Sequence, residues 1–192
     1  LLETDSAGAA AQTNWNNLAL STGANVALND NSGSESGATV NWTTDEEWSA
    51  GGPGVDTNGT LLNGWISANN AGGTNTINIS SIPYGSYDLI FYLNHDRGTE
   101  DVLISEANGA FTQILAHEND PDILAPIVFN QQVATAEGDA TQSRNFFVIP
   151  DLTSSDLALV LDPAGEAGSI DRGAITGIHL VNRDVATELA IT

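Results

Sequence analysis

Between Ile79 and Asn94 the chain reads ISSIPYGSYDLIFYLN, and this stretch restricts the fold more than any other. Tyr87, Leu89, Phe91 and Leu93 fall on one side of an extended backbone, and Asp88, Ile90, Tyr92 and Asn94 on the other. Alternation at every second residue is the pattern of a strand that buries a face. The segment is apolar enough to lie centrally in a sheet. Pro83 fixes one φ and Gly85 permits an unusual one just ahead of it, which sets the direction in which the strand begins. Directly afterwards comes His95-Asp96-Arg97-Gly98-Thr99-Glu100-Asp101. A buried strand that delivers a charged loop to the surface is a common layout for a binding site.

Similar short apolar runs recur along the chain. Strands are expected at Ala38–Trp42, Thr74–Ile82, Glu100–Glu106, Ala110–His117, Ile127–Ala134, Asn145–Ile149 (closed by Pro150), Asp156–Leu161 and Ala174–Asn182. Leu61–Ala68 reads as a strand or a short helix, and Leu1–Gln12 as a lead-in. Thr43–Gly59 reads as a long acidic, Gly-rich loop carrying Trp48, and long loops in compact domains are usually functional or disordered. About ten short strands with frequent Gly, Asn and Asp turns predict an all-β sandwich or barrel. No repeat of fixed period is visible, against a propeller or solenoid. Nothing marks an internal boundary, so residues 1–183 are expected to form one domain, with 184–192 as a linker towards a following module.

Charge narrows the partners. With 25 acidic and four basic residues the formal net charge is −21, which repels nucleic-acid backbones and anionic membranes. The same charge is screened at high salt, and fits either a secreted protein in brine or a Ca²⁺ binder, or serves solubility alone. The absence of Cys excludes disulfides, thiolate nucleophiles and Cys-based zinc sites. No apolar run is long enough for a membrane-spanning helix. The chain begins at Leu1 without a basic leader, as expected of a secreted or cell-surface module from which any signal peptide has been removed.

Five segments carry a family resemblance: NWNNL (14–18), LLNGWISA (61–68), IPYGSYDLIFYL (82–93), NFFVIPDL (145–152) and GAITGIHLVNR (173–183). Their order resembles the β-jelly-roll modules of secreted bacterial proteins, of the galactose-binding-like or carbohydrate-binding-module type. The resemblance implies a jelly roll of two antiparallel sheets, a structural Ca²⁺, and attachment to a polysaccharide-degrading or surface protein. The implied function is non-catalytic recognition of a polysaccharide by a monomeric module of a multidomain chain.

Sugar rings offer apolar C–H faces to aromatic planes and hydroxyls to fixed polar groups. Trp48, in its polar loop, is the first candidate for stacking, followed by Trp42, Trp65 and Tyr92. His95, Asp96 and Arg97 are the expected polar contacts. Core packing is the alternative for each aromatic, and a surface ion pair with Glu100 or Asp101 is the alternative for Arg97. For calcium, Asn29, Asn31, Gly33 and Glu35 alternate in a faint likeness of a calcium loop, so Asp30 and Glu35 are candidate ligands, though an ordinary hairpin turn explains them as well. The jelly-roll resemblance adds Glu3 or Asp5, because first and last strands lie close in that fold. Two other classes stay open. A structural or adhesive Ca²⁺-stabilised extracellular module would share the fold without a stacking site. A polysaccharide lyase or glycosidase would need a base and a cation, for which Tyr92, His95 and Arg97 could serve, or two carboxylates at fixed separation. His179, alternating within an apolar strand, reads as a structural residue.

Overall fold

The computed structural model describes residues 1–49, 52, 54–67, 75–94, 101–112, 114–117, 126–127, 129, 131–132, 145–163 and 174–184. Among them are thirteen strands and one short helix, an all-β sandwich as expected. The larger sheet has six strands, in the order β1 (Thr22–Asn29), β2 (Glu35–Thr43), β5 (Asn75–Ser80), β11 (Leu157–Pro163), β7 (Asp101–Glu106) and β8 (Ile114–His117). The smaller sheet runs β13 (Gly177–Asn182), β6 (Tyr87–Tyr92), β10 (Phe146–Leu152), β9 (Gln131–Gln132). A third sheet, β12 (Ala174–Ile175), β4 (Gly64–Ser67) and β3 (Glu46–Ser49), was not anticipated. All pairings are antiparallel except β9 with β10.

β6 is the strand on which the sequence reading rested, and all six of its residues are buried. Leu89 and Phe91 point into the interior between the two large sheets, where Phe91 stacks on Phe147 with ring centroids 4.9 Å apart. Ile90 and Tyr92 point the other way, onto a second cluster built from Ala7, Leu61, Leu62 and Phe146, with Leu1, Ala10 and Trp15 against it. The residues before β1 therefore form a third layer that covers the outer face of the smaller sheet. Tyr92 fixes this arm, since its hydroxyl accepts the Ala9 N–H at 3.0 Å. The arm is also tied to α1 (Thr57–Leu61), where Thr57 Oγ1 donates to the Ser6 carbonyl at 2.6 Å. Asp56 caps that helix by accepting from Gly59 N at 2.7 Å, satisfying one of its orphan donors.

Several local expectations change. Trp48 is on strand β3, not in a loop, and faces Trp65 across the β3–β4 pair. β10 does not close at Pro150 but runs to Leu152 through a register shift after Ile149, with exposed Pro150 and a positive φ of 57° at Asp151. A bulge is where a strand tolerates proline. Gly85 is not used for a positive φ. Its N–H and that of Ser86 donate to the Asp184 carboxylate at 2.5 and 2.8 Å, and a side chain there would crowd that carboxylate. Arg183, next to Asp184, pairs with Asp88 of β6. The last described residues are thereby fastened to the turn that starts the central strand.

Candidate cleft at the open end of the sandwich

The smaller sheet runs out at β13, while the larger one continues through β2 to β1. Among the described residues a cleft of about 1220 Å³ lies along this end of the larger sheet. Its floor is the inward row of β2 and β5, including Val40, Trp42, Ile77 and Ile79, and Ile178 and Leu180 of β13 form one wall. Trp15 and the 16–20 segment also line it, as do Trp48 and Trp65 of the paired strands β3 and β4. All four tryptophans of the chain line this one cleft.

The four play different parts. Trp48 is 60% exposed, and so are two other apolar residues of the lining, Leu18 at 46% and Leu20 at 67%. Trp42 and Trp65 are buried in the lining. The Trp42 indole N–H donates to the Leu20 carbonyl at 3.0 Å. Trp15 is half-buried and sets its ring edge-on to His179 at 5.4 Å and to Tyr92 at 5.8 Å. Its indole N–H donates to the Gln12 carbonyl at 3.0 Å.

Electrostatically the cleft differs from the rest of the molecule. Among the described residues its only two carboxylates are those of Asp30 and Glu47, and no Lys or Arg side chain lines it. Asp30 is turned into its own loop, where Oδ1 accepts from Ser32 Oγ, Ser32 N and Ser34 N at 2.6, 2.8 and 3.1 Å. Those bonds, the Ser32 hydroxyl first, hold its carboxyl below the usual range. His179 is buried, and burial lowers its imidazole to about 4, so the ring is neutral near pH 7. Among the described residues its Nδ1 has no hydrogen-bond partner, which departs from the expectation of a satisfied structural histidine.

The expected ligand-contact set separates. Trp48 is exposed, but Trp42 and Tyr92 are buried, Tyr92 completely. Burial pushes the Tyr92 phenol up to about 12, so it offers neither a stacking face nor a base near neutral pH. His95, Asp96 and Arg97 lie outside the described residues. Of the residues expected at calcium, Asp5 accepts the Leu2 N–H at 2.7 Å, Asp30 caps its own loop, and Glu35 is exposed at the start of β2 opposite Asn29. No group of three or more metal-ligating side chains gathers among the described residues. Sequence reasoning had Trp65 among the stacking candidates but missed that Trp15 and Leu20 line the same cleft. Only the abundance of Trp in a small-residue chain hinted at it.

No family model and no curated protein matches the chain. Among solved structures it is similar to an exo-β-1,3-galactanase from Phanerochaete chrysosporium in complex with galactose, at 16% identity and TM-score 0.36. It is similar also to the E208A form of that protein with β-1,3-galactotriose, at 14% identity and TM-score 0.35. The likeness covers 80% of this chain but 32% of either galactanase chain, and at this level it says nothing about individual residues. The expectation of a non-catalytic polysaccharide-binding module is corrected on two grounds. The open platform of Trp42, Trp48 and Tyr92 on which that expectation stood is not formed, since Trp42 and Tyr92 are buried, and the solved structures to which the chain is similar are of galactanases rather than of a non-catalytic module.

Proposed function

We propose that the chain is a carbohydrate-active domain that takes a neutral saccharide into the tryptophan-lined cleft. One observation carries the reading. In a chain of net charge −21, all four tryptophans line a cleft that holds only two carboxylates among the described residues. Such a surface suits an uncharged ring with apolar faces. The exposed indole of Trp48 offers a plane at the mouth, and Gln12, Asn29, Asn31 and Asn182 bring amide side chains to the lining. The neutral lining disfavours uronic and sulfated glycans, which carry the same sign of charge as the protein.

The test is titration with β-1,3-galactotriose, laminaritriose and cellotriose, with uronic and sulfated oligosaccharides as contrasts. Trp fluorescence reports binding, and new reducing ends in the same mixtures report cleavage. β-1,3-Galactotriose is included because it is the glycan named with one of the similar structures. A neutral trisaccharide should quench fluorescence, and Trp48→Ala should weaken its binding roughly tenfold, the scale of one lost aromatic contact. Quenching by none of the neutral glycans, or an unchanged affinity in Trp48→Ala, would overturn the assignment.

A further inference from the structure

We infer that Leu20 is a ligand-contact residue at the mouth of the cleft, held out in a strained backbone by the indole N–H of Trp42. The inference rests on the saccharide reading above and adds a specificity-determining contact to it. Among the described residues, five other than glycine have a positive φ: Asn14, Leu20, Asn25, Ser81 and Asp151. Four of these carry short polar side chains, the kind that tolerate the left-handed region through local hydrogen bonds. Leu20, at φ 76°, is the aliphatic exception.

Its side chain gains nothing inside the fold, being 67% exposed. A lone exposed leucine needs no explanation. This one lines the same cleft as Leu18 and Trp48, also exposed, and apolar side chains left exposed along a cleft are the kind that mark an interaction surface. Strained backbone persists only where its surroundings over-determine it, and here they do. Trp42 Nε1 donates to the Leu20 carbonyl at 3.0 Å. The next carbonyl, of Ser21, accepts from Thr44 N at 2.8 Å and Thr44 Oγ1 at 3.3 Å. The turn is thus pinned to the far end of β2, and the pinning presents an apolar side chain to solvent. Among the described residues no Lys or Arg side chain lines the cleft and two carboxylates do, which disfavours an anionic occupant and leaves the C–H face of a neutral sugar ring as the group to lie against Leu20. Trp42 is then a positioning residue rather than a contact.

Leu20→Asn separates this use from a structural one, because Asn accepts the left-handed conformation. The melting temperature should rise by about 2–4 °C, the shift expected for a modest gain in a chain of this size. Affinity for whichever neutral trisaccharide binds the wild type should fall roughly fivefold, the scale of one lost aliphatic contact. Leu20→Ala, which keeps the strain and loses the contact, should show the affinity loss without the gain in melting temperature. Trp42→Phe keeps the ring and deletes the donor. It should weaken binding, and in combination with Leu20→Asn it should add little, since both act on one contact. If Trp48→Ala weakens binding while Leu20→Asn and Leu20→Ala leave it unchanged, the role of Leu20 is refuted and the cleft reading stands. If no trisaccharide binds the wild type, or Trp48→Ala has no effect, both fail together.

Discussion

Gly23 of β1 lies directly beneath the indole of Trp42 on β2, its partner in the strand register, and a β-carbon there would overlap the six-membered ring. The glycine is needed for space, since its φ is ordinary. The bare backbone lets the indole lie flat across β1, and from that position the ring nitrogen reaches the Leu20 carbonyl. One missing side chain thus sets the floor of the cleft and the shape of its mouth.

Gly23→Ala should therefore destabilise the fold by about 1–3 kcal/mol, the cost of overpacking a rigid ring, and should also disturb the cleft. Gly64→Ala, whose added carbon meets only the Trp48 carbonyl at 3.8 Å, is the control and should be close to neutral. Denaturant midpoints of the two variants check this, and equal midpoints would contradict the packing.

The buried imidazole of His179 makes stability depend on pH. Its pKa is lowered from 6.5 to about 4 by burial, so between those values the unfolded chain binds a proton that the folded one does not. Stability from this group is complete above pH 6.5 and is lost as pH falls towards about 4. The full difference is worth roughly 3 kcal/mol. His179→Leu should flatten the curve between pH 4 and 6.5, leaving the slope due to carboxylates. Subtracting the two curves isolates the histidine, and a zero difference would rule the effect out.

Glu106 is a buried carboxylate satisfied by backbone donors alone among the described residues. Oε1 accepts from Ala158 N at 2.8 Å, and Oε2 from Asn108 N and Ala110 N at 2.9 and 2.8 Å. It locks the turn after β7 to β11. Glu106→Gln replaces one acceptor oxygen with a donor that faces an N–H, and should cost roughly 1–3 kcal/mol. Thermal unfolding of the variant is the measurement, and an unaltered melting temperature would contradict the network.

Net charge makes a further prediction. A chain at −21 repels itself, and salt screens that repulsion. The melting temperature should rise as NaCl is raised from low concentration to about 0.5 M, where the screening length has fallen to a few ångströms. A fall would show that attractive ion pairs outweigh the repulsion.

The sandwich was legible because its evidence is local. Leu157, Leu159 and Leu161 fall on one face of β11 in sequence as they do in space, since side chains alternate along any strand. The same locality explains the failures. Trp48 stood in a stretch rich in Gly and acidic residues, and only its pairing with Trp65 of β4 makes it a strand residue. Thr176, between β12 and β13, breaks what read as one strand, because the two halves join different sheets.

By itself the sequence determined the all-β class, the central place of Tyr87–Tyr92, and the sign of the protein's field, for these follow from residue spacing and charge count. Only the tertiary structure decided what the aromatics do. Tyr92 is at the centre of a covered face because residues before β1 fold across β6. Four tryptophans from separate elements line one cleft, at the end where the larger sheet continues through β2 to β1. Whether a ring is buried or displayed depends on what the rest of the chain lays against it, and no periodicity in its own neighbourhood records that.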